Sequence, residues 1–320
     1  MGSPCRARAA SPIIATMSAD SPKSTNSPAE PREPKGIARR PPIVVLGYGQ
    51  PEVAKTEMAR LGPLIELQAA ITLLDIGEYK DLSTVNAEFA VVLGGDGAIL
   101  RAAKQMAYRQ LPVVGVNLGR LGFLADLTPD EFIASLPAIV AGKFHVVEHL
   151  MFECSLIRNQ QVVEKQLGLN EAAVIGGPPF AIVDIYLYVD AELVTTYSCD
   201  GLIVSTPVGS TAHNLSAGGP ILRKDLQAFV ISPISPYTLT NRPVVDSANR
   251  VYELIVPQPL AGTSVVVDGR VMSSLEPNDR IRIEKASPQF KLIEVAGHGY
   301  YRTLREKLGW GGSNSRRREL

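Results

Sequence analysis

The chain has 320 residues, enough for two domains of ordinary size, and its 45% hydrophobic and 20% charged residues are typical of a soluble globular protein. Lysine plus arginine and aspartate plus glutamate balance at 32 each, so no overall basic field favours nucleic acid or an anionic membrane as a partner. No apolar run approaches the roughly 20 residues of a membrane span. The three cysteines form no zinc or disulfide pattern, which favours a cytoplasmic location.

The first half of the chain follows a polar tail and alternates apolar runs with helix-compatible segments. Residues 1–40 are rich in Ser, Pro, Ala and Arg, which predicts a disordered tail. Residues 41–143 predict an α/β domain with a parallel sheet that is covered on both faces. The predicted strands are 43–46, 70–76, 89–93 and 111–117, and the predicted helices are 51–61, 98–108 and 128–141, the last with Thr128 as its N-cap.

Residues 144–295 show short alternating stretches between turn residues and no comparable helix, which predicts a mainly β domain built as a layered sandwich. The predicted strands are 144–157, 161–167, 170–175, 182–189, 202–205, 228–231, 250–256, 264–267, 280–284 and 290–295. Asp268-Gly269-Arg270 reads as a hairpin turn. Residues 296–320 form a last segment, in which 300–308 predicts a helix.

A glycine-rich turn stands where the strand at 89–93 meets the next helix. Gly94, Gly95 and Gly97 flank Asp96 in this turn. Backbone N–H groups at a helix N-terminus favour phosphate, whereas the Asp96 carboxylate suits a proton acceptor or a contact with a metal–phosphate complex. The alternative is a tight turn in which Asp96 is the N-cap. Because ligands bind at the carboxyl ends of parallel strands, this turn and residues 117–123 are expected to line one crevice.

Residues 199–220 combine an apolar strand with a turn that is unusually rich in small and hydroxyl-bearing residues. Small residues let the backbone approach a flat ligand, so this stretch predicts ligand binding. The competing hypothesis is a hydrolytic Ser210 with His213 as its base, although no third member of a triad is evident. Asn170 and Glu171 are a weaker signal, either for an amide and a carboxylate that hold ribose hydroxyls or a base, or for a solvated turn.

Taken together, these stretches resemble the NAD kinase family in order and spacing. The matching segments are 93–101, 117–126, 169–174, 200–220, 231–245 and 267–270. The Gly-Gly-Asp-Gly turn alone is shared with diacylglycerol and sphingosine kinases and with phosphofructokinase-like folds, whereas residues 200–220 are more specific. The resemblance implies an N-terminal phosphofructokinase-like α/β domain, a C-terminal β-sandwich domain, a last segment that packs back on the first domain, and a homodimer or homotetramer.

The same resemblance implies phosphorylation of the 2′-hydroxyl of the adenosine ribose of NAD⁺, with ATP as its Mg²⁺ complex and no metal held by the protein alone. Asp96 would accept the proton, Gly97 would lie close to the dinucleotide, and Arg101 would contact phosphate. The implied dinucleotide ligands are Asn170, Glu171, Asp200, Thr211, Ala212, His213, Asn214, Leu215 and Ser216, with Arg270 beside them. A lipid kinase that shares the glycine turn and a non-catalytic dinucleotide sensor are the alternatives.

Several positions depart from the pattern of the family. His213 stands where Tyr is usual, Val208 replaces a Thr and Arg270 replaces a Gln, while Ala181 and Ser198 stand where some members carry a basic or imidazole side chain. These differences bear on substrate preference and affinity rather than on the type of reaction.

Overall fold

The computed structural model describes residues 40–178, 182–295 and 300–310, which form sixteen strands and five α-helices. The helices are α1 (Pro51–Glu66), α2 (Asp96–Met106), α3 (Pro129–Val140), α4 (His213–Ser216) and α5 (Tyr300–Leu308). The strands are β1 (Pro42–Gly47), β2 (Ala70–Ile76), β3 (Phe89–Leu93), β4 (Pro112–Val116), β5 (His145–Arg158), β6 (Gln161–Gly168), β7 (Glu171–Ile175), β8 (Val183–Val189), β9 (Glu192–Cys199), β10 (Gly201–Ser205), β11 (Ala228–Ile234), β12 (Val244–Ser247), β13 (Tyr252–Ile255), β14 (Ser264–Val267), β15 (Arg270–Ser274) and β16 (Arg280–Glu294). Apart from Arg40, the predicted tail lies outside the described residues.

Four parallel strands from the first half of the chain form one end of a large mixed sheet. Their order is β2-β1-β3-β4, and each neighbouring pair is parallel. β1 is buried on both faces, because Val44 and Leu46 pack into one hydrophobic cluster and Ile43 and Val45 into another. The predicted α/β architecture is confirmed, since strands that are covered on both faces read as continuous apolar runs.

α1 and α3 begin where the sequence predicts, whereas α2 begins at Asp96 and ends at Met106, two residues before its predicted start and end, and α1 ends later than predicted. At the start of α3, Thr128 Oγ1 accepts a hydrogen bond from the Glu131 N–H at 3.3 Å, and the Glu131 carboxylate accepts one from the Thr128 N–H at 2.8 Å. α1 continues past its predicted end at Leu61 and through Pro63. Leu61 and Ile65 are fully buried, so their packing outweighs the local cost of the proline.

A second sheet contains six antiparallel strands in the order β12-β11-β10-β7-β14-β15. A hydrophobic core joins this sheet to the antiparallel part of the large sheet. Val174, Val204 and Phe229 contribute from the second sheet, and Cys154 and Ile283 contribute from the large one. The predicted β-sandwich is therefore confirmed, with one face of each sheet turned toward a shared core.

Three strands that the structure contains are not predicted by the sequence pattern: β9, β12 and β15. Each of them lies at the edge of its sheet. Edge strands are buried less, so the alternation of apolar and polar residues that identifies a strand is weak in them. β15 follows a two-residue turn in which Asp268 has φ 48° and Gly269 has φ 73°, and this confirms the predicted hairpin.

β16 connects the two halves of the fold. It is predicted as two strands, 280–284 and 290–295, but it forms one strand that is irregular only between Lys285 and Gln289. One edge of β16 pairs with β5, and the other pairs antiparallel with β13 and then parallel with β4 at Lys291 and Leu292. The large sheet thus contains strands from both sides of the domain boundary that is predicted between residues 143 and 144. That boundary stays a prediction.

α5 has the bounds that the sequence predicts and contacts both halves of the chain. The Tyr300 hydroxyl donates to the Leu222 carbonyl at 2.9 Å, and the Lys307 ammonium lies 4.5 Å from the centroid of the Phe123 ring. Within the ranges that the structure describes, no helix is both long and apolar enough to cross a lipid bilayer.

Candidate active site

Asp96 is the first residue of α2, and Gly95 is the residue that holds the N-cap position. The alternative in which Asp96 is the cap is therefore wrong. The carboxylate instead accepts three backbone N–H groups of the loop after β4. Its Oδ2 accepts from Phe123 at 2.7 Å, and its Oδ1 accepts from Leu124 at 2.8 Å and from Ala125 at 3.1 Å. These bonds fix the carboxylate between the two loops that are expected to share one crevice.

Gly122 makes this close contact possible. A Cβ at this position would lie 2.1 Å from Asp96 Oδ1 and 2.8 Å from the Ala125 carbonyl oxygen. The Gly122 N–H donates to that same carbonyl at 3.0 Å and so closes the turn. At Gly119, in the same loop, a Cβ would meet no atom within 4 Å. The glycine at position 122 is therefore required by the approach of the carboxylate.

Two clefts meet at the N-terminus of α2. The larger, of about 340 Å³, is lined by the three glycines of the turn, by residues 48–50 after β1 and by residues 117–120 after β4. The smaller, of about 210 Å³, extends from α2 to the β14–β15 hairpin, which contributes Arg270. Gly97 and Arg101 line both clefts. The structure thus brings Gly97, Arg101 and Arg270 together, and the two guanidinium groups make the site favourable for an anion.

Asp268 positions the turn that contains Asn170 and Glu171. Its carboxylate accepts the N–H groups of Leu169 at 2.9 Å, of Asn170 at 2.7 Å and of Glu171 at 3.2 Å. The Asn170 carbonyl accepts the N–H of Thr206 at 2.8 Å. The two predicted ligands are therefore held by the hairpin on one side and by the loop after β10 on the other. Sequence reasoning misses this role, because an Asp-Gly pair after a strand indicates only a turn.

The Glu171 carboxyl group is buried and incompletely bonded. The residue is only 5% exposed, and its Oε2 has no hydrogen-bond partner among the described residues. Burial, and then the nearby Asp268 carboxylate, raises the pKa of Glu171 to about 8. Burial also raises the pKa of Asp268 to about 6, against the three N–H donors that lower it. A buried oxygen without a partner is a position that a ligand hydroxyl would satisfy.

Residues 209–216, which follow β10 as a short 3₁₀ turn and α4, pack closely against Asn170. A Cβ on Gly209 would lie 2.1 Å from the Asn170 carbonyl oxygen, so only glycine fits there. The predicted ligands of this stretch are exposed at His213 and Ser216 and half-buried at Thr211, Ala212 and Leu215. The stretch is therefore adjacent to Asn170 and offers side chains and backbone to a ligand.

Asn214 differs from its neighbours, because its side chain is buried and fully engaged. Its Nδ2 donates to the carbonyl oxygens of Ser210 and Pro220, both at 3.0 Å. Its Oδ1 accepts the hydroxyl of Ser232 at 2.7 Å. A Cβ at Gly219 would lie 2.0 Å from that same Oδ1. The Asn214 amide therefore holds the turn together.

Ser210 does not fit the hypothesis of a hydrolytic nucleophile. Its side chain is fully buried, and its hydroxyl donates to the Pro207 carbonyl at 2.6 Å and accepts the Leu222 N–H at 3.0 Å. His213, the base in that hypothesis, is exposed. A nucleophile must be accessible and must face its base, so these contacts disfavour hydrolysis.

Asp200 is not brought together with the other predicted ligands. It is exposed and directly precedes β10, whereas Ser205 at the other end of β10 pairs with Glu171. Five residues of extended strand separate Asp200 from that end, a distance of roughly 16 Å.

The chain matches two family models. The ATP-NAD kinase N-terminal domain matches residues 64–144, and the ATP-NAD kinase C-terminal domain matches residues 169–295. An NAD kinase from Rhodopirellula baltica is 52% identical over 277 residues, which cover 87% of this chain and 89% of that protein. The chain belongs to the ATP-NAD kinase family.

Further NAD kinases are similar over comparable lengths. The NAD kinase of Shewanella oneidensis is 40% identical over 252 residues, covering 78% of this chain and 83% of that protein. The crystal structure of an NAD kinase from Archaeoglobus fulgidus in complex with ATP has a TM-score of 0.68 at 30% identity and covers 85% of this chain and 100% of that one. A yeast NADH kinase complexed with NADH shares the fold, with a TM-score of 0.75 at 20% identity over 86% and 89% of the two chains.

The positions that depart from the pattern of NAD kinases fall in different environments. Val208 is buried in a hydrophobic cluster, where a hydroxyl would need a partner. His213 and Arg270 are exposed, and Arg270 lines the smaller cleft. Ser198 lies in β9, and Ala181 lies outside the described residues. Among the described departures, Arg270 therefore lines a cleft and His213 is exposed, whereas Val208 is packed in the core.

Proposed function

We propose that this chain transfers the γ-phosphoryl group of ATP to the 2′-hydroxyl of the adenosine ribose of NAD⁺, giving NADP⁺ and ADP. Membership of the ATP-NAD kinase family supports this reaction, and so do the relatives named NAD kinase. The observation that carries the proposal is the Asp96 carboxylate, held by three backbone N–H groups at the N-terminus of α2. Two clefts with Arg101 in their walls meet at this helix N-terminus.

In this proposal, Asp96 accepts the proton of the ribose hydroxyl as the hydroxyl attacks. Its Oδ1 already accepts two N–H groups, whereas Oδ2 accepts one, from Phe123. Since a carboxylate oxygen has two lone-pair positions, Oδ2 has the remaining capacity for the ribose proton. The fixed backbone donors hold the carboxylate in one orientation, which favours proton transfer at a defined atom.

Phosphoryl transfer depends mostly on positioning and on stabilisation of charge. The N–H groups at the start of α2 and the guanidinium of Arg101 are suited to the phosphate oxygens. Among the described residues, no group of three or more His, Cys, Asp or Glu side chains is placed to hold a metal ion. We assign Mg²⁺ to the phosphates of ATP, because metal ions bridge nucleotide phosphate oxygens in phosphoryl transfer and would offset their negative charge there.

Asn170, Glu171 and the exposed residues of the 209–216 stretch would hold the dinucleotide, with Arg270 at the edge of the smaller cleft. The unpartnered Oε2 of Glu171 supports this assignment, because a ribose hydroxyl could complete its hydrogen bonding. We further propose a cytoplasmic location and a homodimer or homotetramer. Size-exclusion chromatography with light scattering would measure the assembly.

Replacing Asp96 by Asn tests the reaction and the role of the carboxylate. A positioned base contributes roughly 10²–10⁴-fold to a rate, so Asp96→Asn should lower kcat by about that factor and leave NAD⁺ binding nearly intact. Asp130→Asn is the matched control, because Asp130 is exposed and pairs with Arg60 on α1. NADP⁺ formation would be followed by a coupled assay, and NAD⁺ binding by calorimetry.

Turnover of Asp96→Asn close to that of the wild type would contradict the assignment of the base. A wild-type protein that binds NAD⁺ but forms no NADP⁺ with ATP·Mg²⁺ would instead be a dinucleotide sensor. Incubation of labelled ATP with NAD⁺ or with diacylglycerol distinguishes an NAD kinase from a lipid kinase.

A further inference from the structure

Lys224 lies behind the loop that holds Asp96 and belongs to none of the predicted ligand segments. It is half-buried in the segment between α4 and β11, and its Nζ donates to the Phe123 carbonyl oxygen at 2.6 Å. The same Nζ lies 5.7 Å from the centroid of the Tyr300 ring in α5. Lysine ammonium groups usually remain in water, so the inward direction of this ammonium toward the Phe123 carbonyl indicates a structural role.

The bond from Lys224 acts on the same peptide unit that binds Asp96. The Phe123 carbonyl and the Leu124 N–H belong to one planar amide, and this N–H donates to Asp96 Oδ1 at 2.8 Å. A cation on the carbonyl oxygen polarises the amide and makes its N–H a stronger donor. A continuous path therefore runs from the ammonium of Lys224, through one peptide group, to the carboxylate of Asp96.

We propose that Lys224 is a positioning residue for phosphoryl transfer, which fixes and stabilises the Asp96 carboxylate through the peptide group between residues 123 and 124. This proposal rests on the proposed role of Asp96 as proton acceptor. The Lys224 ammonium acts on Asp96 through a backbone peptide group and so affects the orientation and the charge of the carboxylate.

The charged and titratable groups around Lys224 come from several elements. Asp96 in α2, Asp126 after β4 and Glu294 in β16 are acidic and raise the pKa of Lys224, but burial lowers it more. The Nδ1 of His149 in β5 lies 3.4 Å from the Lys224 carbonyl oxygen. The three acidic groups thus oppose the effect of burial on the ammonium, whose charged form is the one that polarises the peptide.

Lys224→Met removes the ammonium and retains most of the side-chain volume. We expect kcat to fall about tenfold, the usual size of a lost charge-assisted hydrogen bond, while the KM for NAD⁺ stays within about twofold. Lys224→Gln keeps a neutral donor for the Phe123 carbonyl and should still lower kcat, because it lacks the charge. Lys285→Met is the control, since Lys285 is exposed and bonds to Gln227. Thermal unfolding would show that all variants are folded.

A double-mutant cycle with Asp96→Asn decides whether Lys224 acts through Asp96. In the Asp96→Asn background, Lys224→Met should change kcat by less than about twofold. An equal tenfold loss in both backgrounds would overturn the proposal, as would kcat within about twofold of the wild type in both Lys224 variants. If Asp96→Asn alone leaves kcat unchanged, the assignment of the base fails instead, so the two failures are distinct.

Discussion

Glu171→Gln should make the protein more stable at alkaline pH, although it changes a residue of the candidate site. The wild-type carboxyl group is 5% exposed, and its pKa is raised from 4.5 to about 8 by burial and by Asp268. Between pH 4.5 and pH 8, the folded protein keeps a proton on Glu171 that the unfolded chain releases. The stability of the folded protein therefore falls as the pH rises through this window.

The size of the effect follows from the shift in pKa. One unit corresponds to about 1.4 kcal/mol, so ionisation of Glu171 in the unfolded chain lowers the free energy of unfolding by about 3 kcal/mol between pH 4.5 and pH 7. The loss approaches about 5 kcal/mol above pH 8. A glutamine has nearly the shape of the protonated glutamate and does not titrate. The free energy of unfolding of Glu171→Gln, relative to that of the wild type, should therefore increase by these amounts as the pH rises.

Urea unfolding followed by circular dichroism at pH 5, 6, 7 and 8 measures this difference. Glu164→Gln is the matched control, because Glu164 is exposed on β6, and its curve should run parallel to that of the wild type. Parallel curves for Glu171→Gln and the wild type would refute the reasoning, since they would show that Glu171 titrates alike in the folded and unfolded states.

Two further substitutions test other parts of the structure. Gly122→Ala should lower kcat at least tenfold with little change in the KM for NAD⁺, because the new Cβ would lie 2.1 Å from Asp96 Oδ1. Gly119→Ala is the control. Its Cβ would meet no atom within 4 Å, so this variant should be active. Equal activity of the two alanine variants would contradict this. His149→Gln should resist acid better than the wild type, because burial lowers the pKa of His149 to about 4 from an ordinary 6.5. The free energy of unfolding of the wild type should therefore fall by about 3 kcal/mol between pH 7 and pH 4, whereas that of the variant should not. Urea unfolding at both pH values would detect this difference.

The elements that the sequence predicts well are those with a clear pattern of apolar residues. β2, β3, β14 and α5 have the predicted bounds, because continuous or alternating apolar residues mark them clearly. The edge strands β9, β12 and β15 lack such a pattern. The division of β16 into two predicted strands has another cause. The irregularity between Lys285 and Gln289 interrupts the alternation without ending the strand.

Only those parts of the site that have an unusual local composition can be predicted from the sequence. The glycines around Asp96 and the small residues of the 209–216 stretch are such parts, because unusual backbone geometry requires an unusual composition. The contacts of Asp268 and Lys224 join residues about 100 positions apart in the chain, and no local pattern encodes them. Asn214 shows the opposite case, since it lies in a ligand-like stretch but its amide is used within the turn.

The position of β16 in the chain determines when the large sheet can be completed during synthesis on the ribosome. β4 ends at Val116, but its parallel partner on the other edge, at Lys291 and Leu292, is synthesised about 175 residues later, which takes roughly 10–40 s at ordinary rates of translation. Until then, the edge of β4 is open to pairing with other chains. The loop that holds Asp96 follows β4 directly, so a nascent chain completes the sheet beside its active site only after β16 has been synthesised.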